Sequence, residues 1–487
     1  MAASLFWYDL ETFGTDPRYD RVAQFAGIRT GDDFNVIGDP VELYVRVATD
    51  YIPNPHSCLV TGIVPQDTRE KGIPEYEFAE RVFTEWMKPG TCVAGYNSIR
   101  FDDEFMRNVF YRNLYDPYLR EYSNGNSRWD LIDVLRAARD LRPEGIEWPN
   151  QEAEGTREGR PSFRLEELSR ANGIPHDDAH DALADVRVTI EMAKLLHEKQ
   201  PKLFRFLFTH RSKEKVSSLI NLHTREPLLH TSVMYTRPEG CTSLVSPLTV
   251  DPNNRNAVIA YDLRFDPRPL IELSVEKIRE QVFTPEKELE GERIHLNTIA
   301  LNKCPVIAPL KSLDAATAKR LKLDRDTIHQ RWLQLRAADN LTEKVRAVFD
   351  TPVPAGEGVD VDGAIYAGGF FPDEDRTLFD SFHARGVEAW REFAGSFADQ
   401  RAEKLLRRLI GRNYPQYLNQ QEQKKWKNFC ATRLLFPPTP ELDDFGTFEK
   451  KLEVLSRSSE LAPKDKLIVR RLMDYRNHLR ETILSYT

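Results

Sequence analysis

At 487 residues the chain is longer than a single hydrophobic core can serve, and its length alone predicts two to four domains. Forty per cent apolar and thirty per cent charged residues describe an ordinary globular composition, and no apolar run approaches the roughly eighteen residues that span a bilayer. The net charge of −8 excludes a uniformly basic surface, yet residues 401–487 hold 18 Lys and Arg against 11 Asp and Glu, so a basic tail follows an acidic remainder. The amino terminus has no basic stretch ahead of an apolar one, which argues against a secretory signal. The five cysteines lie far apart with no CxxC pair, so zinc fingers and a disulfide framework are not expected and a reducing cytoplasm is.

The first two hundred residues alternate strand and helix signals. Residues 4–10, 21–30 and 41–47 are β-prone, the last alternating apolar and polar side chains as a half-buried strand does. Pro74 opens a helical stretch to about Met87, proline being well placed in a first turn. A compact central strand is expected at 91–96, then helices at 103–113, 131–140 and 164–172. A long helix at 181–199 sets Leu183, Val186, Ile190, Ala193 and Leu196 on one stripe. Such alternation predicts an α/β sheet covered by helices. The polar segment 142–162 reads as a loop. Strand-like pieces at 242–250, 257–262 and 269–273 suggest a smaller β-rich unit, with a helix at 313–321. Residues 351–358, with two prolines and two glycines, read as a linker, and the remainder is mostly helical.

Five residues carry the chemistry. Asp9 and Glu11 stand two apart on a predicted strand and so leave the same face. They follow the apolar run Leu5–Tyr8, and burying two carboxylates without a cation would be costly. Asp102 follows a central strand, where α/β sheets gather ligands, although an Asp there would also serve as a helix cap. Asp185 lies on the last helix of the unit, five residues after His180. On one helix that spacing leaves the two about 140° apart, so both serve one site only if His180 lies in the lead-in, where Asp177, Asp178 and Asp181 are possible caps. Taken together, the four acids suit two magnesium ions, which prefer oxygen ligands and can stabilise the attacking and leaving oxygens of an in-line phosphoryl displacement. Asp9 would bridge the ions. His180 would deprotonate or orient water, and no nucleophilic side chain is required.

Asp9-Leu10-Glu11-Thr12-Phe13-Gly14, Asn97 with Phe101-Asp102, and the run from Ala179-His180 to Asp185 resemble the three motifs of the DEDD exonuclease superfamily, in its histidine branch. Residues 110–118, 126–130, 141–145, 208–211, 253–257 and 302–305 are similar to the bacterial exonuclease I family of 3′-to-5′ single-strand deoxyribonucleases. The likeness is close over about the first 310 residues. It implies an RNase H-like exonuclease domain at 1–200, an SH3-like β-barrel domain at 201–352 and an α-helical domain at 359–487. It also implies Mg2+, with Mn2+ as a substitute, as cofactor. Single-stranded DNA and the acidic tail of the single-stranded-DNA-binding protein are the implied partners of a monomer. By that resemblance Arg107, Tyr118, Tyr122, Arg136 and Arg164, with Asn256 and Lys303 in the barrel, are candidate contacts to DNA, Arg164 foremost. Gly14 would let backbone approach the terminal nucleotide. The basic stretches 404–412 and 424–427 could face DNA, a partner or solvent.

Two other readings compete. A proofreading or RNA-trimming exonuclease of the same superfamily would need little more than the first domain. A non-catalytic scaffold with a degenerate nuclease fold should have lost some of the acids, and all four are present.

Overall fold

In the computed structural model, which describes residues 4–150, 159–176, 181–351, 358–440 and 442–486, β1 (Ser4–Thr12) runs through the middle of a five-stranded sheet. Its partners are β2 (Val22–Thr30), β3 (Val41–Tyr44), β4 (Thr91–Gly95) and β5 (Ser127–Asp130), in the order β3-β2-β1-β4-β5. β2 pairs antiparallel with β1 and β3, whereas β4 runs parallel to β1 and β5. The two-residue period of β1 divides its side chains between two cores. Phe6, Tyr8 and Leu10 pack with Phe78, Val82 and Trp86 of helix Glu75–Trp86 and with Phe105 and Val109 of helix Asp102–Arg112. Leu5 and Trp7 join the opposite core with helices Leu131–Leu141 and Ala182–Lys199. Each such buried ring or branched chain contributes about 1.5–3 kcal/mol. That is enough to fix the register, since a one-residue slip would exchange the two faces.

A second sheet holds β6 (Leu228–Thr231), β7 (Thr242–Asp251), β8 (Asn254–Asp262), β9 (Leu296–Ala300) and β10 (Val306–Pro309). Its order is β10-β6-β7-β8-β9, antiparallel throughout. The strand expected at 269–273 is instead helix Arg268–Glu272. Pro269 has no N–H to give a ladder, and Asp266 accepts from the Arg268 N–H and guanidinium to start the turn. Strands β5, β6, β9 and β10 are four or five residues long, too short for their alternation to stand out from the sequence. Helix Pro201–Thr209 lies beyond the expected boundary at 200, yet its Phe204 and Phe208 meet Trp129 of the first sheet edge-on.

From Val361 onward the described chain is helical, and it closes two cores against the first unit. Helices Phe445–Arg457 and Pro463–Tyr486 cover Phe13, Val47 and Cys58, while helix Gln400–Asn413 packs with Tyr76 and Tyr111. The basic stretch 404–412 is turned partly inward, because Arg408 and Arg412 pair with Asp360 and Asp362. All five cysteines are free, and four of them are buried. Among the described residues no helix is long and apolar enough to cross a membrane. Most of the expected linker (352–357), the middle of the 142–162 loop (151–158), and Asp177, Asp178 and His180 fall outside the described residues.

Candidate active site

Asp9 and Glu11 extend the face of β1 that Leu5 and Trp7 begin, so they point toward helix Ala182–Lys199. A shift of register between Glu11 and Thr12 ends the regular ladder with β2 there. The helix starts at Asp181, whose carboxylate accepts from the Ala184 N–H at 3.0 Å and from the Gln24 amide at 3.2 Å. Of the caps the sequence offered, Asp181 is thus the one used. Asp185 follows in the first turn. One ligand oxygen each from Asp9, Glu11 and Asp185 lie within 4.8 Å of one another.

Asp102 arrives from the end of β4. The connecting turn places Asn97 in left-handed conformation, φ 60°. Asp130, at the end of β5, grips that turn: its two oxygens accept from the N–H groups of Asn97 (2.9 Å) and Ile99 (3.1 Å) while also capping helix Leu131–Leu141 through Ile132. Sequence reasoning assigned Asp130 no role; its signals were a place just ahead of the helix expected at 131–140 and within the family-like segment 126–130. Phe101 occupies the cap position of helix Asp102–Arg112, so Asp102 is not the cap; it is a buried acid in the first turn.

The electrostatics of this cluster are one-sided. Burial first, then the charges of Asp102, Asp185 and Asp181, push the Asp9 carboxyl far above the usual range. Burial and then Asp9, Asp185 and Asp181 raise Glu11 to about 9. Asp102 is raised by burial and then by Asp103, with Asp130 and Glu11 adding to it. Asp102 is not one of the 4.8 Å group, but its charge raises Asp9 and that of Glu11 raises it. The next residue, Asp103, points the other way: Tyr8 Oη donates to it at 2.6 Å and Arg120 and Arg128 pair with it, so that despite burial it stays well below the usual range. Asp9, Glu11 and Asp102 are raised chiefly by burial and by other acids, and with Asp185 beside them they suit a divalent cation with oxygen ligands.

His180 lies outside the described residues. Another histidine, His176, places Nε2 2.5 Å from Asp185 Oδ1. Its only trace in the sequence is a second histidine in the lead-in to the helix.

The candidate DNA contacts separate into two groups. Arg107 is buried, with its guanidinium held by Glu104 (2.9 Å) and Glu121 (2.7 Å), and Arg136 is held by Asp133 (2.5 Å) beneath Phe163. Both guanidiniums are thus paired with acids of the protein itself. Arg164, by contrast, is 71% exposed at the start of helix Leu165–Ala171, with Glu167 at 3.5 Å. Asn256 Oδ1 accepts from Lys213 at 2.6 Å. Lys303 is half-exposed and reaches Glu104 at 3.2 Å, bringing the second sheet's unit to the rim of the first. Tyr118 and Tyr122 line a cavity of about 500 Å3, together with Tyr115, Phe370, Phe371 and Arg376. Gly14 has an internal explanation: a Cβ there would lie 2.0 Å from an Asp20 carboxylate oxygen.

Residues 6–193 match the family model described as exonuclease, residues 211–351 the exonuclease I SH3-like domain and residues 359–479 the exonuclease I C-terminal domain. The exodeoxyribonuclease I of Escherichia coli is 45% identical over 87% of this chain and 88% of its own. The chain belongs to the exonuclease I family. Among solved structures of exonuclease I, the moderately thermophilic protein of Methylocaldum szegediense superimposes with a TM-score of 0.92 at 44% identity, covering 98% of this chain and 99% of that one. A zinc-ion-bound complex of the E. coli enzyme with single-stranded DNA gives 0.91 at 41% identity, covering 99% and 100%. This exonuclease I family member is accordingly an enzyme with an exonuclease, an SH3-like and a C-terminal unit in that order, and its exonuclease unit is one that uses a divalent metal.

Proposed function

We propose that this enzyme removes nucleotides one at a time from the 3′ end of single-stranded DNA, releasing 5′-mononucleotides, with Asp9, Glu11, Asp102 and Asp185 as its metal ligands. The observation that carries the reading is the convergence of Asp9, Glu11 and Asp185 at the end of the central strand, with the first two raised by burial and by neighbouring acids, in a chain of the exonuclease I family. Magnesium is the proposed cofactor, with manganese as substitute; when bound, two such ions supply charge to the attacking and leaving oxygens of the scissile phosphate. The protein's own contribution is positional. β1 holds Asp9 and Glu11 on one face, Asp130 fixes the turn ahead of Asp102, and the Asp181 cap sets the first turn that carries Asp185. His180, by its motif, takes the proton of the attacking water. Arg164 is the proposed phosphate contact. Tyr118 and Tyr122 offer ring faces on which bases can stack, and Asn256 and Lys303 meet the strand from the barrel side.

Digestion of end-labelled single-stranded DNA, duplex DNA and RNA, with and without Mg2+, tests this. Metal-dependent release of mononucleotides from the 3′ end of single-stranded DNA is expected. Faster attack on RNA would favour the RNA-trimming alternative, and no digestion of any substrate the scaffold. The reading extends to a cytoplasmic location, which five free cysteines fit, to a monomer, and to docking of the acidic tail of the single-stranded-DNA-binding protein. Fluorescence anisotropy with that tail peptide at low salt tests the docking.

A further inference from the structure

The ring of His176 lies between two helices. It enters from the turn after helix Leu165–Ala171, where Gly173 is left-handed (φ 68°) and the Ile174 N–H returns to the Ser169 carbonyl at 2.9 Å. The side chain is 5% exposed, and both ring nitrogens have partners: Nε2 is 2.5 Å from Asp185 Oδ1 and Nδ1 is 3.3 Å from Ser169 Oγ. Ser169 is itself fully buried and tied to the Glu166 carbonyl oxygen at 3.1 Å. With Asp185 ionised, as a metal ligand must be, Nε2 carries the proton and donates it to the carboxylate.

We infer that His176 is a positioning residue for Asp185, holding its carboxylate in one orientation toward Asp9 and Glu11. The torsion that turns an aspartate carboxylate is broad, so packing alone leaves it poorly fixed. Asp9 and Glu11 cannot fix it, since both repel it. A donor on a ring wedged between two helices does, in the way that outer partners of ligating carboxylates orient them in metal sites. Through Ser169, the orientation of Asp185 is coupled to the helix that begins at Arg164, the exposed arginine proposed to meet a substrate phosphate.

This inference rests on reading Asp9, Glu11 and Asp185 as metal ligands, and the experiment separates the two. Mn2+ binding to the full chain is measured by calorimetry, alongside the Mg2+ dependence of single-strand digestion and thermal melting. His176→Leu should weaken Mn2+ binding by about 10–100-fold and raise the Mg2+ needed for half-maximal rate in parallel. The rate at saturating Mg2+ should change much less. His176→Gln, whose amide nitrogen reaches the place of Nε2, should restore most of the affinity, and His176→Asn, which is too short, should not. If Leu does not fold, the Gln and Asn pair carries the test. Equal Mn2+ affinity in the parent, Gln and Asn proteins, or a loss in His176→Leu that Gln does not recover, overturns the positioning role. Asp185→Asn is the control: unchanged Mn2+ affinity in that protein overturns the metal-site reading itself, whatever His176 does.

Discussion

Among the described residues, the acids around Asp9 and those at the seam with the helical unit differ in what surrounds them. Around Asp9 the neighbours are Glu11, Asp102, Asp181 and Asp185. At the seam between the exonuclease unit and the helical unit, Asp50, Glu75 and Asp362 meet Arg21, Arg112, Arg412 and Arg433 instead. Arg412 Nη2 lies 2.6 Å from Asp50 and 2.9 Å from Asp362, Arg433 3.1 Å from Asp362, and Arg112 2.9 Å from Glu75. Burial works against ionisation in both clusters. In the second it is overcome: Arg412 and Arg433 hold Asp50 and Asp362 far below the usual range, and Arg112 and Arg21 bring Glu75 to about 2. The same residue types thus form a charge-matched joint in one place and, among the described residues, a cluster in which acids face other acids in the other. Only the cluster around Asp9 leaves room for a cation that comes and goes.

The largest effect should come from removing a ligand of the cluster around Asp9. Asp9→Asn is expected to slow single-strand digestion by about ten-thousandfold, on the order of 5 kcal/mol at the barrier. Without metal it should melt no lower than the parent, because a repelling charge has gone. Lost activity accompanied by a large drop in melting temperature would make Asp9 a structural acid and dissolve the contrast.

Next in size is the joint. Arg412→Met leaves Asp50 and Asp362 buried without their shortest partner and should destabilise the protein by about 3–5 kcal/mol in denaturant unfolding. Activity per folded molecule is expected to persist. A neutral outcome would mean that Arg433 and Arg21 suffice.

The third prediction concerns pH, and the two clusters have opposite signs. Glu11 is raised to about 9 in the folded protein, so its contribution to stability is present below its ordinary value of 4.5 and is lost as pH climbs toward 9. Glu75 is lowered to about 2, so its contribution is present above 4.5 and is lost as pH falls toward 2. Metal should relieve only the first. At one fixed Ca2+ concentration, a hundredfold over Kd at pH 9, the stabilisation is about 2.7 kcal/mol there and smaller at lower pH, where protonation of Glu11 weakens binding. The gain in melting temperature should therefore grow from pH 5 to pH 9 and disappear in Glu11→Gln. A gain independent of pH would contradict the electrostatics of the site.

The sequence disclosed the acids better than their surroundings, for a physical reason. Asp9 and Glu11 are read from the period of a strand, and Asp102 and Asp185 from their places at a strand end and on a helix; all of these are local features. The arginine joint connects residues 50 and 412, and no local pattern announces that. The ion pairs of Arg107 and Arg136 are local as well, since Glu104 and Asp133 stand three residues before them on helices, the spacing at which side chains meet. The helix at Arg268–Glu272 was misread because Leu-Ile-Glu-Leu suits a strand, and the two prolines nearby were given too little weight. His176 was missed because a histidine before a helix has many ordinary uses; it takes on meaning only once Asp185 is seen beside it.

The alternation along β1 also limits how this site can change over evolutionary time. Leu5, Trp7, Asp9 and Glu11 share one face, and Phe6, Tyr8 and Leu10 the other. Gaining or losing one residue between Trp7 and Asp9 would turn both carboxylates into the aromatic core beneath the sheet. A change of two would keep them on the correct face but carry them about 7 Å along the strand, away from Asp185. The spacing between the buried tryptophan and the first acid is therefore closed to length variation, even where individual apolar residues of the strand remain open to substitution.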